Sequence, residues 1–400
     1  MLINIKNGVG EIHSSNDYSI EKLQSDAIDF LRFPLAIAVI FIHSGIPVTN
    51  FIDFEGSLFS MSGLLNLLGI VFSHVLTHIA VPVFFLISGF LFFYNFKNFS
   101  WNGYKSKLKS RFYTLFIPYL LWNILPWLLA LTLLLLKSFL KEDSFVHLFS
   151  FLESNNWNIF YNSTHWGADR INWLGENLGM WGPYNLPLWY LRDLIFMTIL
   201  TPVIYAAIKY LKWGALFYLI LAYVSRIWFI IPGLHITAFL FFSLGAYFSL
   251  NNLNIIEFVR RYKFFIIPIS IILFIATVIY DGTNTVIGQN IYPFFIISAT
   301  FAAFYFSAKI IQTYKIKPNK FLVSSYFFIY ACHTVSFPIF GDPVGRSKYI
   351  IHKIIPGNSI AEDIVTYLLT PFLVALICVV LLQICKRYMP NVIKYFIGSR

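Results

Sequence analysis

Arg32 and His43 lie eleven positions apart in the apolar stretch Ile28-Asp-Phe-Leu-Arg-Phe-Pro-Leu-Ala-Ile-Ala-Val-Ile-Phe-Ile-His-Ser-Gly45. On an α-helix they share a face, roughly 20° apart around the axis and about 16 Å apart along it. An imidazole can take the proton of a hydroxyl, and a guanidinium can hold phosphate oxygens. Ionisable groups are costly inside a bilayer, so both are functional candidates. Each also has a plain reading: Arg32 can snorkel to the interface, and His43 can be a hydrogen-bonded core residue.

Further groups follow along the chain. Val81-Pro-Val-Phe-Phe-Leu-Ile-Ser-Gly89 holds a kinking proline, Pro82, and a small pair, Ser88-Gly89, that lets a helix or a ligand chain approach the backbone. Lys97, Lys105, Lys107, Lys109 and Arg111 crowd the next loop. They suit lipid headgroups, loop anchoring, or the phosphates of a soluble donor. Leu188-Trp-Tyr-Leu-Arg192 is followed by Asp193. Adjacent helical residues point about 100° apart, so Arg192 and Asp193 are expected to find separate partners. Ser325-Tyr-Phe-Phe-Ile-Tyr-Ala-Cys-His333 brings another histidine into an apolar segment. His74 and His78 have the i, i+4 spacing of a metal pair, but no third ligand is near in sequence and no metal is expected.

The elements that must position these groups are membrane helices. Of 400 residues 58% are hydrophobic and 12% charged, with 44 Phe and 24 Tyr; a soluble globule carries about 25% charge. The apolar runs are long and continuous, which predicts an all-α polytopic bundle rather than a barrel. Ten spans are expected, at about 28–47, 72–96, 112–136, 187–208, 214–231, 236–250, 264–280, 290–312, 321–340 and 362–385. Residues 62–71 are apolar too, and extend the second span or lie along the interface. The fifth and sixth spans can also be one re-entrant hairpin. The expected organisation is a cytoplasmic tail at 1–26, a transmembrane domain at 27–386 and a second cytoplasmic tail at 387–400. The polar start shows no cleavable signal, and the three cysteines, Cys332, Cys378 and Cys385, form no disulfide or metal pattern.

Charge bias orients the bundle. With the N-terminus inside, 20 of the 29 basic residues fall on the inner side, three (Arg32, Arg192 and Arg226) lie in helices, and six fall outside: Lys137, Lys141, Arg170, Arg346, Lys348 and Lys353. The net charge of +11 is therefore mostly a topology signal, and no nucleic acid partner is expected. Two outer loops are long. Residues 137–186 carry Trp157, Trp166, Trp173 and Trp181; residues 341–361 carry Asp342, Arg346 and His352, with Glu362 at the edge. Aromatic and amide groups suit a sugar, and tryptophan is also enriched at membrane interfaces.

Taken in order, these strings resemble the acyltransferase-3 family of bacterial membrane acyltransferases, over about residues 26 to 385. They are Asp29-Phe-Leu-Arg32 with ten residues to His43, Val81 to Gly89, the basic stretch to Arg111 with Pro118-Tyr119, Leu188 to Arg192, and Ser325 to His333. The integral-membrane subgroup without an appended extracytoplasmic domain is the nearer likeness. Some members carry two arginines three apart after the second helix. Here Arg111 stands alone, and Lys107 or Lys109 is the available substitute.

The resemblance implies an O-acyltransferase of the bacterial inner membrane. It takes an acyl group, acetyl by expectation, from cytoplasmic acyl-CoA to a hydroxyl of a cell-envelope glycan or lipid-linked saccharide. It implies an essential pair, Arg32 and His43; with Arg32 on the donor side, His43 is the best-placed general base, and the sequence leaves open that it briefly carries the acyl group. Lys105, Lys107, Lys109, Arg111, Ser88 and Gly89 are then expected on the donor side, and Trp189, Arg192 and His333 on the acceptor side. Membrane lipid is the remaining expected partner. A second reading is a transporter or flippase for a lipid-linked sugar, since buried Arg and His also mark substrate paths. No inverted repeat supports it. A multi-span glycosyltransferase or polymerase is the third, with Asp169, Glu176 and Asp342 as carboxylates in no motif.

Overall fold

The computed structural model describes residues 19–46, 48–49, 57, 59–94, 96, 99–140, 150–153, 157–166, 179–280, 285–335, 343–354 and 359–398. The chain is a helical bundle. Helix α1 (Ile20–His43) starts where the Ser19 hydroxyl accepts from the Lys22 amide, with Glu21 in the first turn. It ends four residues before the predicted boundary. There the Ser44 amide and hydroxyl both donate to the Ile40 carbonyl at 2.8 Å, which closes the helix directly after His43. Helix α2 (Met61–Phe93) includes residues 62–71, so that apolar stretch extends the second helix. It is capped by Ser60 and interrupted by a π-type turn at Ile70–Val75 and a tight turn at Leu76–Ile79.

Helix α3 (Trp101–Phe139) follows, then the bent pair α4 (Leu186–Ile199) and α5 (Thr201–Leu211), which turns by 64°. Next are α6 (Trp213–Ser225), α7 (Ile236–Leu250), α8 (Ile255–Arg261) and α9 (Lys263–Ile279). The remainder is α10 (Val286–Tyr314), α11 (Lys320–Cys332), α12 (Pro343–Ile354), α13 (Ile360–Tyr388) and α14 (Pro390–Phe396). One small antiparallel pair amends the all-helical expectation. Strands β1 (Thr164–Trp166) and β2 (Met180–Gly182) pair Thr164 with Gly182 and His165 with Trp181 in the long loop between α3 and α4.

Among the described residues four helices, α2, α3, α10 and α13, are long and apolar enough to cross a membrane. The bent pairs α4–α5 and α7–α8 bring the number to six. Each of the ten stretches marked in the sequence contains a helix. Large apolar side chains such as Phe217, Phe264 and Ile272 stand exposed on the outer faces of α6 and α9. That arrangement is stable in hydrocarbon, where helices satisfy their own backbone groups.

Helix α1 packs against α2, α10, α11 and α13, and so lies at the centre of the bundle. The closest crossing is between α2 and α7. A Cβ on Gly89 would stand 2.0 Å from the Phe242 carbonyl oxygen, and one on Gly245 would stand 2.0 Å from that of Leu86. Residues 390–396, within the expected C-terminal tail, form α14 and fold back on the bundle. The Trp122 indole donates to the Phe396 carbonyl at 2.9 Å, and Ile393 and Ile397 are buried.

Candidate active site

Three cavities adjoin the residues singled out in the sequence. The first, about 410 Å³, lies at the Arg32 end of α1. Arg32, Arg111 and Lys320 line it, with Asp29 and Ser88. Arg32 donates to the Asp29 carboxylate at 2.7 Å, and its guanidinium stands 5.7 Å from the Tyr326 ring centroid. Asp29 fixes one edge of the guanidinium and leaves other N–H groups for an anion. Ser88 is linked to the Tyr190 hydroxyl at 3.2 Å. A second cleft of about 550 Å³ shares Asp29, Arg32 and Leu91 with the first and carries Gln24, Ser25 and Asn252.

The third cavity, about 250 Å³, lies at the other end of α1. It is lined by His43, His78, His235, Trp189, Tyr223 and Tyr292, with Pro82 and Pro187 among the rest, and among the described residues no Lys, Arg, Asp or Glu lines it. His43 is exposed, and its surface opens on this cavity. The indole of Trp189 stands edge-on to His235 at 5.6 Å. His78 binds the Ser73 carbonyl through Nε2 at 3.0 Å, so that nitrogen carries its proton. The two irregular turns of α2 place His78 on the cavity wall and break the regular i, i+4 register assumed for His74 and His78.

His333 sits directly behind His43, with ring centroids 5.1 Å apart. It is fully buried. Its Nδ1 donates to the Tyr330 carbonyl at 2.8 Å, so Nε2 carries the lone pair, and that nitrogen is buried with no hydrogen-bond partner among the described residues. The structure thus brings His333 to His43 rather than to the cavity surface.

The remaining expected site residues divide. Arg111, Ser88 and Trp189 line cavities. The Lys107 ammonium donates to the Phe92 carbonyl and lies over the Phe92 and Phe96 rings at 5.2 and 4.9 Å. Lys105 and Lys109 are exposed and line none of the three cavities. Gly89 serves the helix crossing with α7.

Arg192 and Asp193 do pair, contrary to the sequence expectation. Arg192 Nε and Nη2 lie 3.0 and 2.9 Å from Asp193 Oδ1. The 100° separation applies to the Cβ directions, and the long arginine side chain folds back across it. Both groups are buried, so each charge must be met by a near partner. Arg192 Nη1 also donates to the Tyr161 and Trp181 carbonyls at 2.8 and 2.7 Å, which ties the outer loop to α4.

Of the loop aromatics, Trp157 and Trp181 are exposed. Trp173, Asp169, Glu176, Asp342 and the side chain of Trp166 lie outside the described residues. Sequence reasoning missed Lys320, His78, His235, Tyr292 and Tyr330 as lining residues. Tyr330 stood inside a quoted string, but nothing in its spacing marks a cavity wall.

The fold and cavities define a helical membrane protein in which one central helix, α1, serves two chambers of different chemistry. The comparisons narrow this class. The model of the acyltransferase-3 family, described as an acyltransferase domain, matches residues 25–385. The chain belongs to that family, and it is a membrane acyltransferase. No curated protein and no solved structure matches it.

Proposed function

We propose that this acyltransferase works in a bacterial inner membrane and moves an acyl group, acetyl by expectation, from cytoplasmic acyl-CoA to a hydroxyl of a cell-envelope glycan or lipid-linked saccharide. Its transmembrane domain spans residues 27–386 in ten passes, with both termini cytoplasmic. One observation carries the reading. Among the described residues, helix α1 presents Arg32 to a cavity lined by three cationic side chains and His43 to a cavity lined by imidazoles and aromatic rings with no Lys, Arg, Asp or Glu. Phosphate oxygens of a donor suit the first, and a sugar hydroxyl suits the second.

In this reading Arg32, Arg111 and Lys320 hold the donor phosphates. His43 accepts the proton as the acceptor oxygen attacks the acyl carbon. The C–S bond then breaks, and the thiolate leaves and is protonated. A base in this role needs its other ring N–H held; a turn of the His43 ring would bring it to Nε2 of the adjacent His333, which is unpartnered among the described residues. Trp189 gives the acceptor a face to stack on.

The test is acetyl-CoA consumption and acceptor acylation in membranes. His43→Ala is expected to lower turnover by about 10²- to 10⁴-fold, the usual range for a general base. Arg32→Ala is expected to raise the donor KM. Near-normal turnover by His43→Ala at normal expression removes the catalytic assignment. A wild-type protein that leaves the thioester intact supports transport instead.

A further inference from the structure

The Arg32 cavity and the His43 cavity meet at one side chain. Among the described residues Tyr330 alone lines both. Its hydroxyl donates to the carbonyl of Pro187, which belongs to the wall of the His43 cavity. Its ring stands edge-on to Tyr190, on the Arg32 side, at 5.8 Å, and 6.5 Å from His333. Tyr330 is almost fully buried, so the ring occupies the wall itself. One hydrogen bond and one rotamer hold it there, and α11 ends two residues later at Cys332.

We propose that Tyr330 is the partition between the two cavities, latched on the Pro187 carbonyl, and that its displacement is what lets an acyl group pass to His43. The passage role rests on reading the Arg32 cavity as the donor side; the partition itself does not. With the ring in place, water from the His43 side is kept from the acyl carbon. That blocks hydrolysis, in which water adds to the carbon, the C–S bond breaks and a free acid and thiol are released. With the ring displaced, the opening is limited to what one side chain vacates, which favours a short acyl group. The residue thereby determines donor specificity without touching the donor's phosphates.

The experiment reads accessibility and needs no substrate. In proteoliposomes, His43→Cys is treated from the Arg32 side with a charged, membrane-impermeant methanethiosulfonate. Labelling is assigned by peptide mass, because Cys332, Cys378 and Cys385 are native. Slow labelling is expected with Tyr330 intact. Adding Tyr330→Ala is expected to speed it about tenfold or more, since a minor open state is populated at about 10% or less. Tyr330→Phe, which keeps the ring and loses the latch, is expected to fall between, and it carries the test if the alanine variant does not fold. Labelling that is already fast with Tyr330 intact, or that neither substitution accelerates, overturns the proposal. Because no donor is present, that failure is distinct from failure of the acyltransfer reading, which shows as unconsumed acetyl-CoA.

Discussion

His43 opens on its cavity, while His333 is closed off behind it. Their ring centroids stand 5.1 Å apart with the planes tilted by 50°. The tautomer of His333 is set by the chain, because a carbonyl oxygen at Nδ1 can only accept. That leaves Nε2, unpartnered among the described residues, as an acceptor; in the proposed mechanism a turn of the His43 ring brings its N–H there and keeps its other lone pair aimed at the acceptor hydroxyl. His333→Ala is therefore expected to lower turnover by about 10²-fold, the lower end of the range for acid–base groups, with the donor KM unchanged. His333→Gln, which carries an amide near the position of Nε2, is expected to recover part of this. His333→Asn, which places its amide near Nδ1, is expected not to. Equal losses for Gln and Asn with a lowered yield of folded protein would reduce His333 to packing.

At the scale of elements, the crossing of α2 and α7 fixes both cavities at once. Helix α2 supplies Pro82 to the His43 cavity and Ser88 to the Arg32 cavity, and α7 supplies Thr237 and Phe242 in the same way. A Cβ on Gly245 would meet backbone atoms, the Leu86 oxygen at 2.0 Å and the Phe90 nitrogen at 2.6 Å. Backbone cannot rotate aside, so the two helices must separate. Gly245→Ala is expected to cost about 2–3 kcal/mol, the upper part of the range for overpacking, seen as a lower melting temperature in detergent. An unchanged melt would mean that the crossing is looser than the structure shows.

The same crossing shows what the sequence could and could not convey. Gly89 was visible as a small residue suited to close approach. Its partner Gly245 lies 156 positions away, and nothing local pairs them. The apolar runs were legible because lipid contact imposes composition on a helix whatever it packs against. The cavities were not, because each is assembled from several distant helices. Arg192 was misread for the same reason: its carbonyl partners come from the loop near Tyr161 and Trp181. His78 was misread because a π-type turn leaves no mark in the spacing of apolar residues.

At the scale of the whole molecule, orientation decides which cavity faces the cytoplasm. Charge bias puts the basic stretches 97–111 and 309–320 inside, and those stretches supply Arg111, on α3, and Lys320, at the start of α11, to the cavity of Arg32. In the proposed reading, two basic stretches assigned inside by counting charges thus converge on one chamber, as a cytoplasmic anionic donor would need. The orientation has a direct consequence for two exposed positions. Trp157 stands in the loop assigned outside, and Tyr388 ends α13 on the side assigned inside; both are well exposed. Trp157→Cys is expected to react with an impermeant maleimide on intact cells, and Tyr388→Cys only after the membrane is opened. The reverse pattern would place Arg32 outside and deprive it of any cytoplasmic thioester. Labelling of both from one side would break the odd number of passes, seven, expected between them. In the reversed case the chemistry assigned to His43 would need a donor from the opposite compartment, so this labelling pattern ranks ahead of any kinetic measurement.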